Sequence, residues 1–253
     1  MKKTSTLKLA CAAVLAAAAS AATAADVFVA VAANFTAPAK DIAPLFEKAT
    51  GHKLVLSFGG TGTFYGQIKN GATFDVLLAA DAATPKKAID EGYGVPGTSF
   101  TYAVGKLVFW SADAKRVADG EKLLVSGDFN KCAVANPKLA PYGLAAYETL
   151  KAMGLFEKVQ PKFVEGDNIG KTFNFVKTGN ADVGFVALSQ VARDGRITSG
   201  SGWIVPQNYY QPIRQDAVLL KNGASPEAAR AFLEFLKGPE AAKVKTAYGY
   251  GAE

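Results

Sequence analysis

Four short segments hold the residue types best suited to chemistry: Ala33-Asn34-Phe35-Thr36, Gly59-Gly60-Thr61-Gly62-Thr63, Pro141-Tyr142-Gly143 and Asp167-Asn168-Ile169-Gly170. Each stands between an apolar run and a stretch of helical period, so each opens a helix. The first N–H groups of a helix have no intrahelical acceptor and attract an anion, and glycine lets that anion come close. Thr and Asn side chains add neutral donors. The chemistry on offer is the holding of a small anion. With no Arg or Lys in these segments, aligned dipoles must do the holding, as they can in a dry cleft. With no carboxylate apart from Asp167, the segments lack an acceptor for a protonated oxyanion. That points away from hydrogen phosphate and towards a fully ionised dianion. Lys171 is the other charged neighbour, and its place inside a helix suggests solvent exposure.

The competing reading is ordinary capping. Thr36 and Thr61 to Thr63 suit N-cap positions, and glycine-rich loops often only turn the chain. One such segment alone favours that reading; four at equivalent strand ends leave both open. Gly59-Gly60-Thr61-Gly62 lacks the lysine of a P-loop and the spacing of a dinucleotide fingerprint, so a nucleotide site is set aside.

Composition narrows the alternatives. The 253 residues are 49% hydrophobic and 20% charged, enough for a packed core and against disorder. One histidine, His52, and two cysteines, Cys11 and Cys132, argue against a Cys/His zinc site, a histidine-rich active site and a disulfide scaffold. Residues 1–24 read as a secretory signal peptide: Met1-Lys2-Lys3, an alanine-rich apolar stretch from Leu7, and Ala22-Thr23-Ala24 as the cleavage site. Cys11 sits inside that stretch, and Lys8 occupies a position where a lipoprotein signal needs an apolar residue. Cleavage removes three lysines and no acid, halving the formal net charge of +6. The remainder gives no reason to expect a nucleic-acid partner. Cys132 is then the single cysteine, in an apolar run that predicts a buried, inert thiol.

The elements that must position the four segments follow a strand–helix rhythm. Strands are expected over 27–32, 53–58, 75–79, 132–135, 162–164 and 184–188. Helices are expected over 38–49, 64–69, 85–91, 143–153, 170–177, 226–236 and 239–248. The strands are nearly all apolar, which predicts parallel sheets covered on both faces. Two long extended segments, 100–110 and 215–221, interrupt the rhythm. They predict an α/β fold of two lobes, each a mainly parallel sheet flanked by helices, joined by two crossover strands. The lobes are residues 25–104 plus 206–253, and residues 105–205. Trp110 and Trp203 fall near the crossovers. Parallel sheets bind ligands beyond the carboxyl ends of their strands, where the four segments lie.

At these segments the chain resembles the periplasmic molybdate-binding proteins of ABC importers. The likeness runs through Val29-Ala-Val-Ala-Ala-Asn-Phe-Thr36, Ser57-Phe-Gly-Gly-Thr-Gly-Thr63, Gln67-Ile68 and Asp75-Val-Leu-Leu-Ala-Ala-Asp81. It continues in Gly184-Phe-Val-Ala-Leu-Ser-Gln190 and Leu236-Lys-Gly-Pro-Glu-Ala-Ala242. The resemblance implies a type II solute-binding fold, a periplasmic location, no catalysis and no cofactor. It implies molybdate or tungstate as ligand, the metal held only as its oxyanion, and an ABC permease as partner. A monomer is expected, since a two-lobe mechanism needs no symmetry. By position the resemblance carries the oxyanion contacts to Asn34 and Thr61, where serine is common in the family. It also carries them to the backbone N–H groups of Tyr142 and Ile169, with Ala33 and Gly60 beside them. Ala187 stands where other members place a tyrosine whose hydroxyl donates. Asn34 and Tyr142 are the candidates to replace that donor, although Tyr142 could equally be an aromatic packing at the cleft rim. Hydrogen bonds to an ionised partner contribute roughly 1.5–3 kcal/mol each, so about five to seven exceed the roughly 8 kcal/mol of micromolar binding. No cation is required.

Three rivals remain. A receptor for another tetrahedral oxyanion such as sulfate differs mainly in cavity radius. A ferric-ion receptor could use Tyr209 and Tyr210, but His52 stands alone, in an expected turn. An exported hydrolase could draw on Asp75, Asp81, Glu165 and Asp182, but no nucleophile motif accompanies them and Asp75 and Asp182 sit at strand starts.

Overall fold

The computed structural model describes residues 24–251. The signal-peptide reading, and Cys11 within it, lies outside the described residues except for Ala24. The first sheet starts from β1 (Asp26–Ala32), whose Val27, Val29, Ala30 and Val31 are fully buried. Parallel partners flank it: β2 (Lys53–Gly59) on one side and β3 (Val76–Leu78) on the other. Helices α1 (Thr36–Thr50), α2 (Thr61–Lys69) and α3 (Ala83–Asp90) follow these strands. Phe46 of α1 meets Phe232 and Phe235 edge-on at 5.3 and 5.6 Å, locking α1 to a helix from the end of the chain. Burying each such ring contributes on the order of 1.5–3 kcal/mol.

The apolar run 100–110 is two strands rather than one. β4 (Phe100–Gly105) closes the first sheet, Lys106 crosses, and β5 (Leu107–Ser111) begins the second. The second sheet adds β6 (Cys132–Ala135), β7 (Phe163–Gly166) and β8 (Val183–Ala187). Its helices are α4 (Gly120–Ser126), α5 (Pro141–Ala152), α6 (Phe156–Val159), α7 (Ile169–Lys177) and α8 (Leu188–Val191). A hairpin of β9 (Ala192–Arg193) and β10 (Arg196–Ile197) turns through Asp194 and Gly195, both at positive φ as a two-residue turn of this hand requires. After β11 (Ser201–Ile204) the chain recrosses, and β12 (Ile213–Leu219) enters the first sheet between β3 and β4. Helices α9 (Pro226–Lys237) and α10 (Pro239–Ala247) complete the first layer.

The strand orders are β2-β1-β3-β12-β4 and β11-β5-β8-β6-β7. The sheets are mainly parallel, as expected, with one reversed strand in each: β12 is antiparallel to β3 and β4, and β5 is antiparallel to β8 and β11. A chain that leaves one sheet and later returns brings in its crossover strands in the reverse direction. The expectations lacked α4, α6, β11 and the β9–β10 hairpin, which are short and weakly patterned. Trp110 is buried against Phe173 and donates Nε1–H to Ser199 O at 2.8 Å; Trp203 pairs with Phe109 along β11. Both are packing residues of the second sheet.

Candidate functional site

Each of the four segments opens a helix; threonine caps none of them, while the Asn168 side chain caps α7 as ordinary capping has it. Ala33–Phe35 form one 3-10 turn, and Thr36 is already helical, its hydroxyl donating to Ala33 O at 2.8 Å. Gly60 is the N-cap of α2, and Thr61 is the first residue inside it. The Thr61 hydroxyl accepts the N–H of Ala80 at 2.9 Å, which leaves its own hydrogen to donate elsewhere. Pro141 opens α5, where its missing N–H costs nothing and its fixed φ suits the first turn. The Tyr142 N–H is then the first free donor of that helix. Asn168 caps α7 by accepting from Lys171 N at 3.0 Å, leaving the N–H groups of Ile169 and Gly170 as the orphans of its first turn.

The structure brings all six predicted residues together. Ala33, Asn34, Gly60, Thr61, Tyr142 and Ile169 line one cavity of about 10 Å³, with Ala80, Ala140, Pro141 and Asn168 among its walls. That is the order of space one water-sized group needs. Among the described residues no charged side chain lines it. The two charged neighbours look outward and pair with each other, Lys171 Nζ lying 3.4 Å from Asp167 Oδ2, both half exposed.

Loops of the two sheets meet across this cavity. Gly62 N donates to Leu139 O at 3.3 Å, and the Ser189 hydroxyl donates to Asn34 O at 2.8 Å. The close approach depends on glycine. A Cβ on Gly60 would lie 3.2 Å from Asn168 Cβ, and one on Gly170 would lie 3.2 Å from Ala33 Cβ.

Behind the loops lies a polar cluster that sequence reasoning missed. Asn34 is buried, and its Nδ2 donates to Gln215 Oε1 at 2.7 Å and to the Tyr250 hydroxyl at 2.9 Å. Gln215 Nε2 donates to the Tyr142 hydroxyl at 2.9 Å. Burial pushes the hydroxyls of Tyr102, Tyr142 and Tyr250 well above the usual tyrosine range, so all three stay protonated. Tyr142 is therefore placed twice over: its backbone at the cavity, and its ring against β12. Ala187 carries no donor and its N–H is taken by Gln190 Oε1 at 2.9 Å. The available signal for the cluster was Gln215 itself, a polar residue heading an apolar strand.

The rival features have structural roles. The Tyr210 hydroxyl accepts from Leu107 N at 3.1 Å, and burial raises it; Tyr209 packs against the second core. His52 is more than a solvated turn residue, since its Nδ1 accepts from Ala25 N at 3.2 Å. Asp75 is fully buried, accepting from Phe28 N at 2.7 Å and Ser225 N at 2.8 Å. Asp182 accepts from Asn130 N and Lys131 N. Asp81 is raised by burial and holds both the N–H and the hydroxyl of Thr84. Among the described residues no three His, Cys, Asp or Glu side chains gather as a metal site. Cys132 is fully buried, as its run predicts.

Comparison with known proteins places the chain. The profile of the family described as bacterial extracellular solute-binding protein matches residues 27–251. The molybdate-binding protein ModA of Azotobacter vinelandii is 57% identical over 233 residues, 92% of this chain and 92% of that one. The protein of the same name from Rhodobacter capsulatus is 54% identical over 92% of this chain and 90% of its own length. The solved structure of an Azotobacter vinelandii periplasmic molybdate-binding protein superposes with a TM-score of 0.87 at 40% identity. It covers 90% of this chain and 99% of that one.

Proposed function

The chain belongs to the bacterial extracellular solute-binding proteins, and from that premise we propose how it works as a receptor that binds molybdate, and tungstate with it, for an ABC importer. It is a transport protein and not an enzyme, and its ligand is cargo rather than cofactor. The family and its molybdate-binding members carry that statement. We assign the binding to the cavity between residues 25–104 plus 206–253 as one lobe and residues 105–205 as the other. One observation supports the assignment above all. Four chain segments, two from each sheet, place helix-start residues around one small cavity, and among the described residues no charged side chain lines it.

Such a wall suits an anion that accepts hydrogen bonds on every side and brings no proton. The donors assigned are the N–H groups of Ala33, Asn34, Thr61, Tyr142 and Ile169 and the Thr61 hydroxyl, with Gly60 allowing close approach. Each donor is fixed by its helix before the ligand arrives, so little ordering entropy is spent on binding. Ligand entry and release require the loops to part, because Gly62–Leu139 and Ser189–Asn34 join the loops of the two sheets beside the cavity. The signal segment would send the mature chain to the periplasm as a monomer with no nucleic-acid partner.

Calorimetric titration of the mature protein with molybdate, tungstate, sulfate and phosphate tests this reading. Tight one-to-one binding of the first two alone is expected. A preference for sulfate, or no oxyanion binding at low ionic strength, would overturn it.

A further inference from the structure

The cavity is backed by Gln215, which is fully buried on β12 where the register with β4 shifts. Its amide reaches the loops of both sheets, Asn34 from the first and Tyr142 from the second. The Tyr102 hydroxyl lies 3.2 Å from Gln215 Oε1 and 3.0 Å from Ala79 O. Gly105 on β4 leaves room for this arrangement, since a Cβ there would collide with the Tyr142 hydroxyl and Gln215 Nε2.

One atom of the cluster is left over. Both Nδ2 hydrogens of Asn34 are spent, on Gln215 and Tyr250, while Asn34 Oδ1 is buried with no partner. A buried polar atom without a partner has given up its hydration for nothing in return. A dianion that only accepts hydrogen bonds cannot supply the missing donor, and its oxygens would repel a bare carbonyl.

The same heavy-atom positions allow a second arrangement, in which both amides are turned over. Gln215 Nε2 then donates to Asn34 Oδ1 and to the Tyr102 hydroxyl, whose hydrogen goes to Ala79 O. The Tyr142 hydroxyl donates to Gln215 Oε1. The Tyr250 hydroxyl turns from Asn34 O, which keeps the Ser189 hydroxyl, and donates to Asn34 Oδ1, while Asn34 Nδ2 takes the place of the orphan oxygen and offers an N–H. Asn34 cannot turn alone, because its Oδ1 would meet Gln215 Oε1 at the present 2.7 Å.

We propose that Gln215 is the specificity-determining positioning residue of this site, setting with Asn34 whether a carbonyl or an N–H faces the bound oxyanion. The carbonyl arrangement fits an oxyanion that carries a proton, such as phosphate near neutral pH. The N–H arrangement fits a fully ionised one, such as molybdate. The inference rests on the oxyanion reading above and deepens it.

The test is titration of the mature protein and of Gln215→Met with molybdate, followed by competition with millimolar inorganic phosphate at neutral pH. Methionine keeps the volume and cannot couple the two amides. The wild type binds molybdate and phosphate does not displace it. In Gln215→Met the molybdate affinity falls at least tenfold and phosphate competes. Unchanged molybdate affinity, or a loss with phosphate still unable to compete, overturns the proposal. Failure of the wild type to bind molybdate would instead overturn the reading of the site. Should the variant not fold, the side-chain amide resonances of the wild type decide. With molybdate bound, the Gln215 Nε2 hydrogens are expected beside the Tyr102 ring; their staying beside Tyr142 overturns the proposal.

Discussion

The guanidinium of Arg193 lies 3.5 Å from the centre of the Tyr248 ring and donates to Asp41 Oδ2 at 2.9 Å. The Tyr248 hydroxyl donates to the same oxygen at 2.8 Å, and Asp194 N donates to Ala247 O at 2.7 Å. Arg193 belongs to the β9–β10 hairpin that follows the second sheet's last parallel strand. Asp41 and Tyr248 belong to α1 and to the end of α10, which cover the first sheet. The hairpin is thus a tether between the two layers, and Arg193 and Tyr248 line a cleft that also reaches Ala33, Asn34 and Gly170.

Arg193→Ala removes the tether and leaves the lining of the small cavity unchanged. Arg193 and Asp41 are both more than two-fifths exposed, so the ion pair contributes little, and the ring contact about 0.5–1 kcal/mol. Molybdate affinity is expected to fall by roughly two- to fivefold, carried by faster release in stopped-flow measurement. An unchanged release rate would show that the tether does not hold the closed form.

Gly60 sets how closely the two sheets' loops approach. A Cβ there would sit 3.2 Å from Asn168 Cβ and 3.5 Å from Asp167 O across the cavity. Gly60→Val adds two further carbons to that contact, and packed loops relax only in part. The expected result is at least tenfold weaker molybdate binding with an unchanged thermal midpoint. Wild-type affinity in this variant would mean that closure does not bring these loops together.

Thr61 separates hydroxyl chemistry from backbone chemistry. Its oxygen accepts from Ala80 N at 2.9 Å, so the hydroxyl hydrogen is aimed away from that partner. Thr61→Ser keeps the donor and is expected to retain affinity within about threefold. Thr61→Val keeps the shape and loses both the donor and the acceptor of Ala80 N, costing about 1.5–3 kcal/mol of binding, or roughly ten- to hundredfold by calorimetry, together with a lower thermal midpoint. Equal affinities for the two variants would assign the binding to backbone N–H groups alone.

These sites differ in how far the sequence announced them. Thr61, Asn34 and Ile169 follow strands whose apolar runs and following helical periods are plain, so their place at one end of two sheets was legible. The helix starts were less so: Thr61 is inside α2 because Gly60 caps it, and glycine leaves no side-chain signature of capping. Gln215 stood out only as a polar residue in an apolar strand, and neither its contacts nor those of Tyr250 were legible. The two lie 181 and 216 residues from Asn34 along the chain, and local pattern carries no information about contacts of that separation. The crossover at Lys106 was hidden for another reason. A single lysine inside an apolar run does not disclose that the chain changes sheets there.

Cys132 tests the tightness of the second core. Burial pushes its thiol far above the ordinary range, and the neutral form is not the nucleophile. Native protein at pH 8 is expected to resist iodoacetamide for hours, whereas protein unfolded in guanidinium reacts within minutes. Rapid labelling of the native chain would reveal opening of the second sheet under native conditions. Labelling slowed further by molybdate would tie that opening to the ligand.

Tyr248 sets the alkaline limit of the tether. Its hydroxyl is pushed up to about 12, first by burial and then by the hydrogen bond to Asp41. An unfolded tyrosine titrates near 10, so between about pH 10 and 12 the folded chain keeps a proton that the unfolded chain releases. The contribution is therefore fully present below pH 10 and is lost as pH rises towards 12. Other buried tyrosines titrate late as well, so the wild-type curve alone does not isolate Tyr248. The difference between the wild type and Tyr248→Phe does, because phenylalanine cannot titrate. That difference in thermal midpoint is expected to shrink across this window while molybdate itself keeps its charge. A difference that stays constant from pH 9 to 12 would show that the Tyr248 proton is not held by the folded tether.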